Sequence, residues 1–188
     1  AYAVLLRHRT GQDDVVVGCP VAVHRDRPEL DGLIGLFLNT LPLRVELDGD
    51  PAFRDLLVRV RRTALEGFAH QDVPFEKVVE ALRARPGAGR GPLFRVWFNH
   101  SNVPRERPAF AGLSVAPLDV GDPAVKFDLR LSTEEADGRL VAVLGYNRDL
   151  FERDTARAML ADLHRILERA AEKPQLPVSA LLAAPGAA

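Results

Sequence analysis

The spacing of apolar residues predicts a chain in which helices and strands alternate. Apolar positions three and four apart between Phe53 and Phe68 predict a helix with one buried stripe, capped by Asp50-Pro51. A second stripe predicts a last helix from a cap at Asp154 to about Ala171. A first helix should end near Thr10-Gly11, with the glycine as its left-handed cap.

Between these helices, short β-branched or alternating segments predict strands. The last two of them flank Glu134–Gly138 and predict a hairpin. Because helices and strands follow one another without a regular parallel period, we expect an α/β fold, a two-layer sandwich with a mixed sheet flanked by helices. The predicted strands are Val15–Val23, Leu41–Leu47, Leu93–His100, Leu113–Val120, Val125–Thr133 and Arg139–Asn147.

The pattern changes abruptly in the middle of residues 33–47. An apolar run from Leu33 to Leu38, with Gly35 inside it, predicts a buried helical turn that meets Asn39-Thr40 before the alternating segment Leu41–Leu47. Asn and Thr side chains bond nearby backbone readily, so a helix end plus a turn explains the pattern from the residues alone. The alternative is that Asn39 is the first side chain able to leave the core and point into a cleft.

A second polar junction lies at His70-Gln71-Asp72. A short helix is predicted from Pro74 to about Arg83, and Asp72 stands where a carboxylate stabilises the free amides of a helix start. No Ser or Cys nucleophile is placed to use His70, so we interpret it as a packing residue at a helix end. His164, on the edge of the last helical stripe, is interpreted in the same way.

Composition limits the functional classes. The 188 residues are 47% hydrophobic, which suits one globular unit, and the net charge of −1 gives no reason to expect nucleic acid or an anionic membrane as partner. A single cysteine, Cys19, excludes an internal disulfide and a cysteine-based metal site and fits a reducing cytoplasm. No apolar run approaches ~18 residues, and no signal peptide is visible. We expect a cytoplasmic protein without a metal.

Three ordered motifs give the chain a family resemblance. Ile34–Thr40, with Arg44 four residues on, resembles a core motif of the condensation domains of non-ribosomal peptide synthetases. His70–Glu76 and Pro92–Phe98 resemble the next two motifs of that family, in the same order. Two further segments also fit, Val17–Ala22 and Gln175–Leu182. The resemblance covers nearly the whole chain, but it corresponds only to the second half of such a domain.

The resemblance implies a chloramphenicol acetyltransferase-like fold, in which two lobes form a V around a tunnel. It implies amide formation between a donor acyl or peptidyl thioester and an acceptor aminoacyl thioester, each carried on the phosphopantetheine of a carrier protein. The family's catalytic His-His-x-x-x-Asp-Gly motif belongs to the first lobe. No two of the five histidines of this chain are adjacent, so we expect no catalytic residue here and an inactive isolated chain, although the resemblance implies that its parent is an enzyme.

The resemblance also suggests roles for single residues. Asn39 becomes the first candidate for the tunnel wall and Thr40 and Arg44 the weaker ones, because the position of Arg44 in a strand favours a structural ion pair. The hairpin segment Lys126–Asn147 would be a latch onto the first lobe. The residues expected to hold the motifs structurally are Gly35, His70, Gln71, Asp72, Pro74 and Phe75.

The same resemblance predicts the domain organisation and the partners. Residues 1–174 would be the C-terminal lobe, and residues 175–188 a linker toward an adenylation domain. The expected partners are the N-terminal lobe, the donor and acceptor carrier proteins and that adenylation domain, with no directly bound cofactor. Without its first lobe, the chain should expose an apolar surface and self-associate.

Other functions fit the same residues. An epimerisation domain or a non-catalytic recruiting domain would share the fold. A stand-alone docking module would need no catalytic base, and a coenzyme A-dependent acetyltransferase would need the histidine that this chain lacks. A His-His-x-x-x-Asp-Gly upstream of Ala1 in the parent reading frame would favour condensation.

Overall fold

A computed structural model describes residues 1–23, 29, 32–83, 92–101, 110, 112–116, 118, 126–136 and 138–183. In this part of the chain, five strands form one sheet: β1 (Asp14–Ala22), β2 (Leu38–Glu46), β3 (Val96–Ser101), β4 (Leu129–Ala136) and β5 (Arg139–Tyr146). Their spatial order is β2-β1-β3-β4-β5. The helices are α1 (Tyr2–Thr10), α2 (Phe53–Ala69), α3 (Phe75–Arg83) and α4 (Arg153–Glu172), followed by a 3-10 helix at Val178–Leu181.

The sheet is mixed, as the sequence predicts. β1 pairs antiparallel with β2 and parallel with β3, β3 pairs parallel with β4, and β4 pairs antiparallel with β5. The β4–β5 hairpin is tighter than expected, because the strand pairing extends to Ala136 and Arg139. Gly138, next to Arg139, has a φ of 72°, which belongs to the left-handed region that glycine adopts without strain.

The core lies on one face of the sheet. Side chains alternate between the two faces of a strand, so Val15 and Val17 of β1 share a face with Val45 of β2. The hydrophobic cluster on this face joins them to Leu131 of β4 and to α1 and α4, where Ile166 is fully buried. The arrangement is the predicted two-layer sandwich, with the sheet as one layer and helices as the other.

The apolar run before β2 does not form the buried helical turn that its composition predicts. Leu33, Ile34 and Leu36 are exposed, and Leu38 at the start of β2 is 57% exposed. β2 is an edge strand, so one side of it has no neighbouring strand in this part of the chain. An apolar composition favours burial but does not specify which surface the segment packs against. Within the described part of the chain, no other segment shields it from solvent.

Two other expectations from apolar patterns are wrong. The residues that the structure describes between Leu113 and Leu118 form no strand; the rest of the predicted segment to Val120, and Val125 of the next, lie outside the described residues. Only Phe53 and Leu56 of the predicted α2 stripe are buried, whereas Leu65 and Phe68 are exposed. α2 packs over the edge strand β2, so only part of its stripe meets the sheet.

The predicted helix caps are partly correct. Gly11 has the expected left-handed conformation, with φ of 70°, and its amide bonds to the Arg7 carbonyl. Asp50 does not cap α2, because the carbonyls of Leu176 and Pro174 in the tail accept from the first amides of that helix, those of Phe53 and Arg54. Backbone from a distant segment thus replaces the local side-chain cap.

The last helix also begins differently from the prediction. Glu152, not Asp154, is the N-cap residue of α4, and it makes no side-chain capping bond. Asp154 lies inside the first turn, where its carboxylate contacts Arg157 at 3.4 Å. A negative charge in the first turn still complements the helix dipole without accepting a capping bond.

The tail expected to be linker is folded onto the lobe as far as Leu182. Val178 and Leu181 are buried, and Pro177 forms an isolated antiparallel bridge with Ala52. Ser179 donates to the carboxylate of Asp50 through both its amide, at 2.9 Å, and its hydroxyl, at 2.6 Å. Residues 176–182 therefore belong to the folded unit, and a connection onward to an adenylation domain stays a prediction.

We expect the Asp50→Asn variant of the 188-residue chain to be less stable at pH 7 than the chain without the substitution. Burial raises the pKa of Asp50, but the Ser179 hydrogen bonds and the Arg7 charge together lower it by more than burial raises it. The pKa of Asp50 is therefore below its usual value. A carboxylate with a lowered pKa stabilises the folded chain above the unfolded value of about 4 and loses that contribution as the pH falls through the folded pKa. Asn also tolerates the φ of 47° at this position, so the substitution adds no backbone strain and removes the charge together with one acceptor oxygen.

Denaturant unfolding of both proteins between about pH 2 and pH 7 tests this expectation. The difference in unfolding free energy should be largest at neutral pH and should shrink below about pH 4. A difference that stays constant across the range would contradict a role for the charged form of Asp50.

Candidate functional site

Asn39 joins two of the three sequence motifs. It is the second residue of β2, and its Nδ2 donates to the carbonyls of Gln71 and Val73, both at 2.7 Å. Its Oδ1 accepts from the amides of Thr40, at 2.8 Å, and Phe75, at 3.2 Å. The four bonds use both protons of the amide nitrogen and both lone pairs of the oxygen. Asn39 can therefore bind another group only by giving up one of these bonds.

The α3 helix is capped by Asn39 and not by Asp72. Phe75 is the first residue of α3, so the Asn39 Oδ1 satisfies one of the amides that the helix start leaves free. Asp72 is exposed and makes no hydrogen bond or ion pair within the described residues. The sequence points to Asp72 because local caps are close in the chain; the actual cap comes from a strand 36 residues away from Phe75.

The other residues of the second motif define the turn between α2 and α3. His70 is the C-cap of α2, and its amide bonds to the Gly67 carbonyl at 3.1 Å. Its side chain is exposed, so the expected packing of the imidazole is wrong. Gln71 contributes its carbonyl to Asn39, and the Pro74 carbonyl accepts from Lys77 at 2.9 Å. The turn is held by backbone groups more than by its own side chains.

A cluster of four aromatic rings packs the third motif against the second. Phe94 lies 5.5 Å from Phe75, 6.0 Å from Trp97 and 5.7 Å from Phe127, measured between ring centroids. Trp97 and Phe127 are stacked at 4.7 Å with an angle of 8° between their planes. All four rings are half-buried. Sequence reasoning missed this cluster, because the rings come from three separate segments.

Arg44 and Thr40, predicted with Asn39 as tunnel residues, occupy different surroundings. Arg44 forms a two-pronged pair with Asp14, with both nitrogen–oxygen distances 2.9 Å, and contacts Glu46 at 3.1 Å. The hydrogen bonds to Arg44 lower the pKa of Asp14. The side chain of Arg44 is 60% exposed, so this is the surface ion pair that was the alternative to a tunnel role. Thr40 is half-buried and pairs with Pro20 across the β1–β2 ladder.

Gly35 lies in an exposed bend before β2 and does not need a left-handed conformation. A side-chain carbon at this position would lie 3.1 Å from the Phe37 ring, a close approach but one that a small ring movement relieves. Its predicted structural role in the motif stays a prediction.

His100 and His164 have different partners and lie in different parts of the fold. The Nδ1 of His100 lies 3.0 Å from the Thr133 hydroxyl, a pair set by their register across β3 and β4. His164 is exposed, and its Nε2 contacts Glu168 at 3.2 Å, so the packing role predicted for it is wrong. Within the described part of the chain, no group of three or more His, Cys, Asp or Glu residues could hold a metal ion.

The mixed sheet and its flanking helices are those of a chloramphenicol acetyltransferase-like fold. The family model "Condensation domain" matches residues 1–187. The chain therefore belongs to the condensation-domain family.

Curated relatives agree with this assignment. The chain is 42% identical to one of the subunits of linear gramicidin synthase from Brevibacillus parabrevis over 183 residues, which are 96% of this chain and 2% of the relative. It is 42% identical to malpinin synthetase of Mortierella alpina over 180 residues, 96% of this chain and 2% of the relative. The chain thus spans only a small fraction of the length of these proteins.

Solved structures show the same fold. The X-domain from teicoplanin biosynthesis is 31% identical with a TM-score of 0.80, over 95% of this chain and 41% of that one. AB3403, a four-domain non-ribosomal peptide synthetase bound to AMP and glycine, is 25% identical with a TM-score of 0.82, over 94% of this chain and 14% of that one. Among the residues that the structure describes, no helix is long and apolar enough to cross a membrane.

Proposed function

We propose that this chain is the C-terminal part of a condensation domain that forms amide bonds in non-ribosomal peptide biosynthesis. The observation that carries the proposal is the meeting of the ordered motifs at one place, where Asn39 binds the backbone of Gln71, Val73 and Phe75. The family match over residues 1–187 supports it, as does the 42% identity with a part of linear gramicidin synthase.

In the proposed reaction, the amine of a carrier-bound aminoacyl thioester attacks the carbonyl carbon of a carrier-bound acyl or peptidyl thioester. A C–N bond forms, the C–S bond breaks, and the amine proton leaves through a base while the donor arm departs as a thiol. A base must lie within hydrogen-bond reach of the attacking amine, and the sequence of this chain has no paired histidines for that task.

The contribution of this chain would be one wall of the reaction tunnel. Asn39 would hold the α2–α3 turn in place, with Thr40 beside it on β2. The saturated hydrogen bonding of Asn39 favours a positioning role over direct contact with substrate. The ion pairs of Arg44 with Asp14 and Glu46 favour a structural role for that residue.

The proposed partners follow from this role. Phosphopantetheine arms of donor and acceptor carrier proteins would bring the two thioesters, and an adenylation domain would follow the tail. The exposed Leu33–Leu38 run supports a first lobe that covers it. On β5, the exposed Leu140 and Val143 support a latch role for the hairpin, and both surfaces support self-association of the chain by itself.

The test is to reconstitute the parent synthetase with one donor-loaded and one acceptor-loaded carrier protein and to follow the amide product by mass spectrometry. We expect product with the parent and only the uncatalysed background with the 188-residue chain alone. A parent whose upstream sequence carries the His-His-x-x-x-Asp-Gly motif but which forms no amide would overturn the proposal, as would product formed by the chain alone.

A recruiting function is the second candidate. The teicoplanin X-domain is also known in a complex with OxyB, and that chain is 32% identical to this one with a TM-score of 0.76. A parent that lacks the paired histidines and forms no amide, but binds a partner protein in a defined ratio, would favour this candidate over condensation.

A further inference from the structure

Phe94 is the centre of the aromatic cluster. Its ring contacts each of the three others, whereas Phe75 has a ring contact only to Phe94 among the described aromatic side chains. Phe94 precedes β3, Trp97 lies within it and Phe127 precedes β4. Through these contacts, Phe94 connects α3 to two strands of the sheet.

The ring of Phe94 occupies space that exists only because residue 18 is a glycine. Gly18 lies inside β1, where it pairs with Trp97 of β3. A side-chain carbon at Gly18 would lie 2.7 Å from the Cδ2 atom of Phe94 and closer still to Cε2 and Cζ. Real side-chain carbons do not approach other atoms so closely, so any residue larger than glycine must displace the ring.

Phe75 connects the ring of Phe94, which packs on Gly18, to Asn39. Phe75 has its amide bound to the Asn39 Oδ1 and its ring against Phe94. The start of α3 is thus held from two sides, by a hydrogen bond from β2 and by the ring packed on β1. A shift of Phe94 would release one of these two constraints.

We propose that Phe94, seated on Gly18, is a positioning residue for amide formation. It fixes the start of α3 against the sheet, so that the turn bound by Asn39 keeps the geometry that the tunnel wall needs. This inference rests on the proposed condensation function. The proposed role needs no contact of Phe94 or Gly18 with substrate, because both act through Phe75.

The test uses the parent synthetase with Gly18→Ala, Phe94→Leu, the double variant and a control, Gly32→Ala. A side-chain carbon at Gly32 meets nothing within 4 Å. We expect Gly18→Ala to lower kcat about tenfold, with KM for the loaded acceptor carrier protein changed less than about twofold, because misplacement without lost binding reduces turnover.

The double variant separates positioning from general damage. Leu at residue 94 leaves no ring for the added methyl group to displace, so Gly18→Ala should cost less than about twofold in kcat when Phe94→Leu is already present. Losses that multiply in the double variant, or a Gly18→Ala enzyme with unchanged kcat, would overturn the inference. An increase in KM alone would also overturn it.

A second readout is independent of activity. Trp97 is the only tryptophan of the chain, and it is stacked on Phe127 beside Phe94. In the 188-residue chain, the near-ultraviolet circular dichroism of Trp97 should change in Gly18→Ala and Phe94→Leu and stay unchanged in Gly32→Ala. An unchanged signal in folded Gly18→Ala and Phe94→Leu overturns the inference.

The two readouts also separate this inference from the proposed function. If the parent makes no amide, the proposed function fails, whereas the Trp97 signal still decides whether Phe94 orders the cluster. If Gly18→Ala does not fold, the kcat and the Trp97 signal of the Phe94→Leu variant decide the question alone. Reduced kcat at constant KM together with a changed Trp97 signal supports the inference, and wild-type values of either one overturn it.

Discussion

Asn39→Ala is expected to lower the free energy of unfolding by about 2 kcal/mol. The substitution removes the cap from α3 and leaves the carbonyls of Gln71 and Val73 without their donor. The cost stays moderate because Val73 is exposed and its carbonyl can bond to water. In the parent synthetase, turnover should also fall about tenfold or more, since the turn loses its anchor. Urea unfolding and product formation measure the two effects.

Two variants give this prediction its controls. Asp72→Ala should change the unfolding free energy by less than about 0.5 kcal/mol, because Asp72 is exposed and makes no bond within the described residues. Asn39→Asp keeps an acceptor for the Phe75 amide but turns a carboxylate oxygen toward the carbonyls of Gln71 and Val73, so it should destabilise the chain at least as much as Asn39→Ala at neutral pH. Equal losses for Asp72→Ala and Asn39→Ala would show that the cap is wrongly assigned.

Leu181→Ala should cost about 3 kcal/mol of stability, the largest effect that we expect from a single tail substitution. Leu181 has no exposed surface, and it belongs to the same cluster as Leu5 of α1 and Ile166 of α4. Removing its side chain leaves a cavity in that cluster, which adds to the lost burial. Thermal unfolding of the 188-residue chain, followed by circular dichroism, is the measurement.

Leu150→Ala is the matched control, because Leu150 is 54% exposed. Its effect should stay within about 0.5 kcal/mol. If Leu181→Ala were no more costly than Leu150→Ala, residues 176–182 would behave as a linker, and the conclusion that they pack on the lobe would be wrong. A large difference between the two variants makes the tail part of the lobe.

Patterns that depend on neighbours in the chain could be predicted well. The positions of the long helices follow from apolar spacing, and the left-handed cap at Gly11 follows from the residue itself. The hairpin follows from two alternating segments around a turn. These features need only local contacts, so the sequence carries the full signal for them.

The helix caps show where local reasoning ends. Asp50 and Asp72 each precede a helix and have the right chemistry, yet neither caps it. The start of α2 is bonded to the carbonyls of Leu176 and Pro174, and the start of α3 is bonded to Asn39. Both partners are distant in sequence. A free amide accepts any well-placed oxygen, and only the fold decides which oxygen is there.

By itself, the sequence determined the fold class, the order of the three motifs and the absence of paired histidines. Each of these is a property of residue type and spacing. The tertiary structure alone decided that Asn39 is a hydrogen-bonded anchor, that Arg44 is ion-paired and that Phe94 is seated on Gly18. It also decided that the tail is packed while the Leu33–Leu38 run is exposed. The reason is physical: burial and hydrogen bonding depend on which surfaces meet, and surfaces distant in sequence are brought together only when the sheet and its helices assemble.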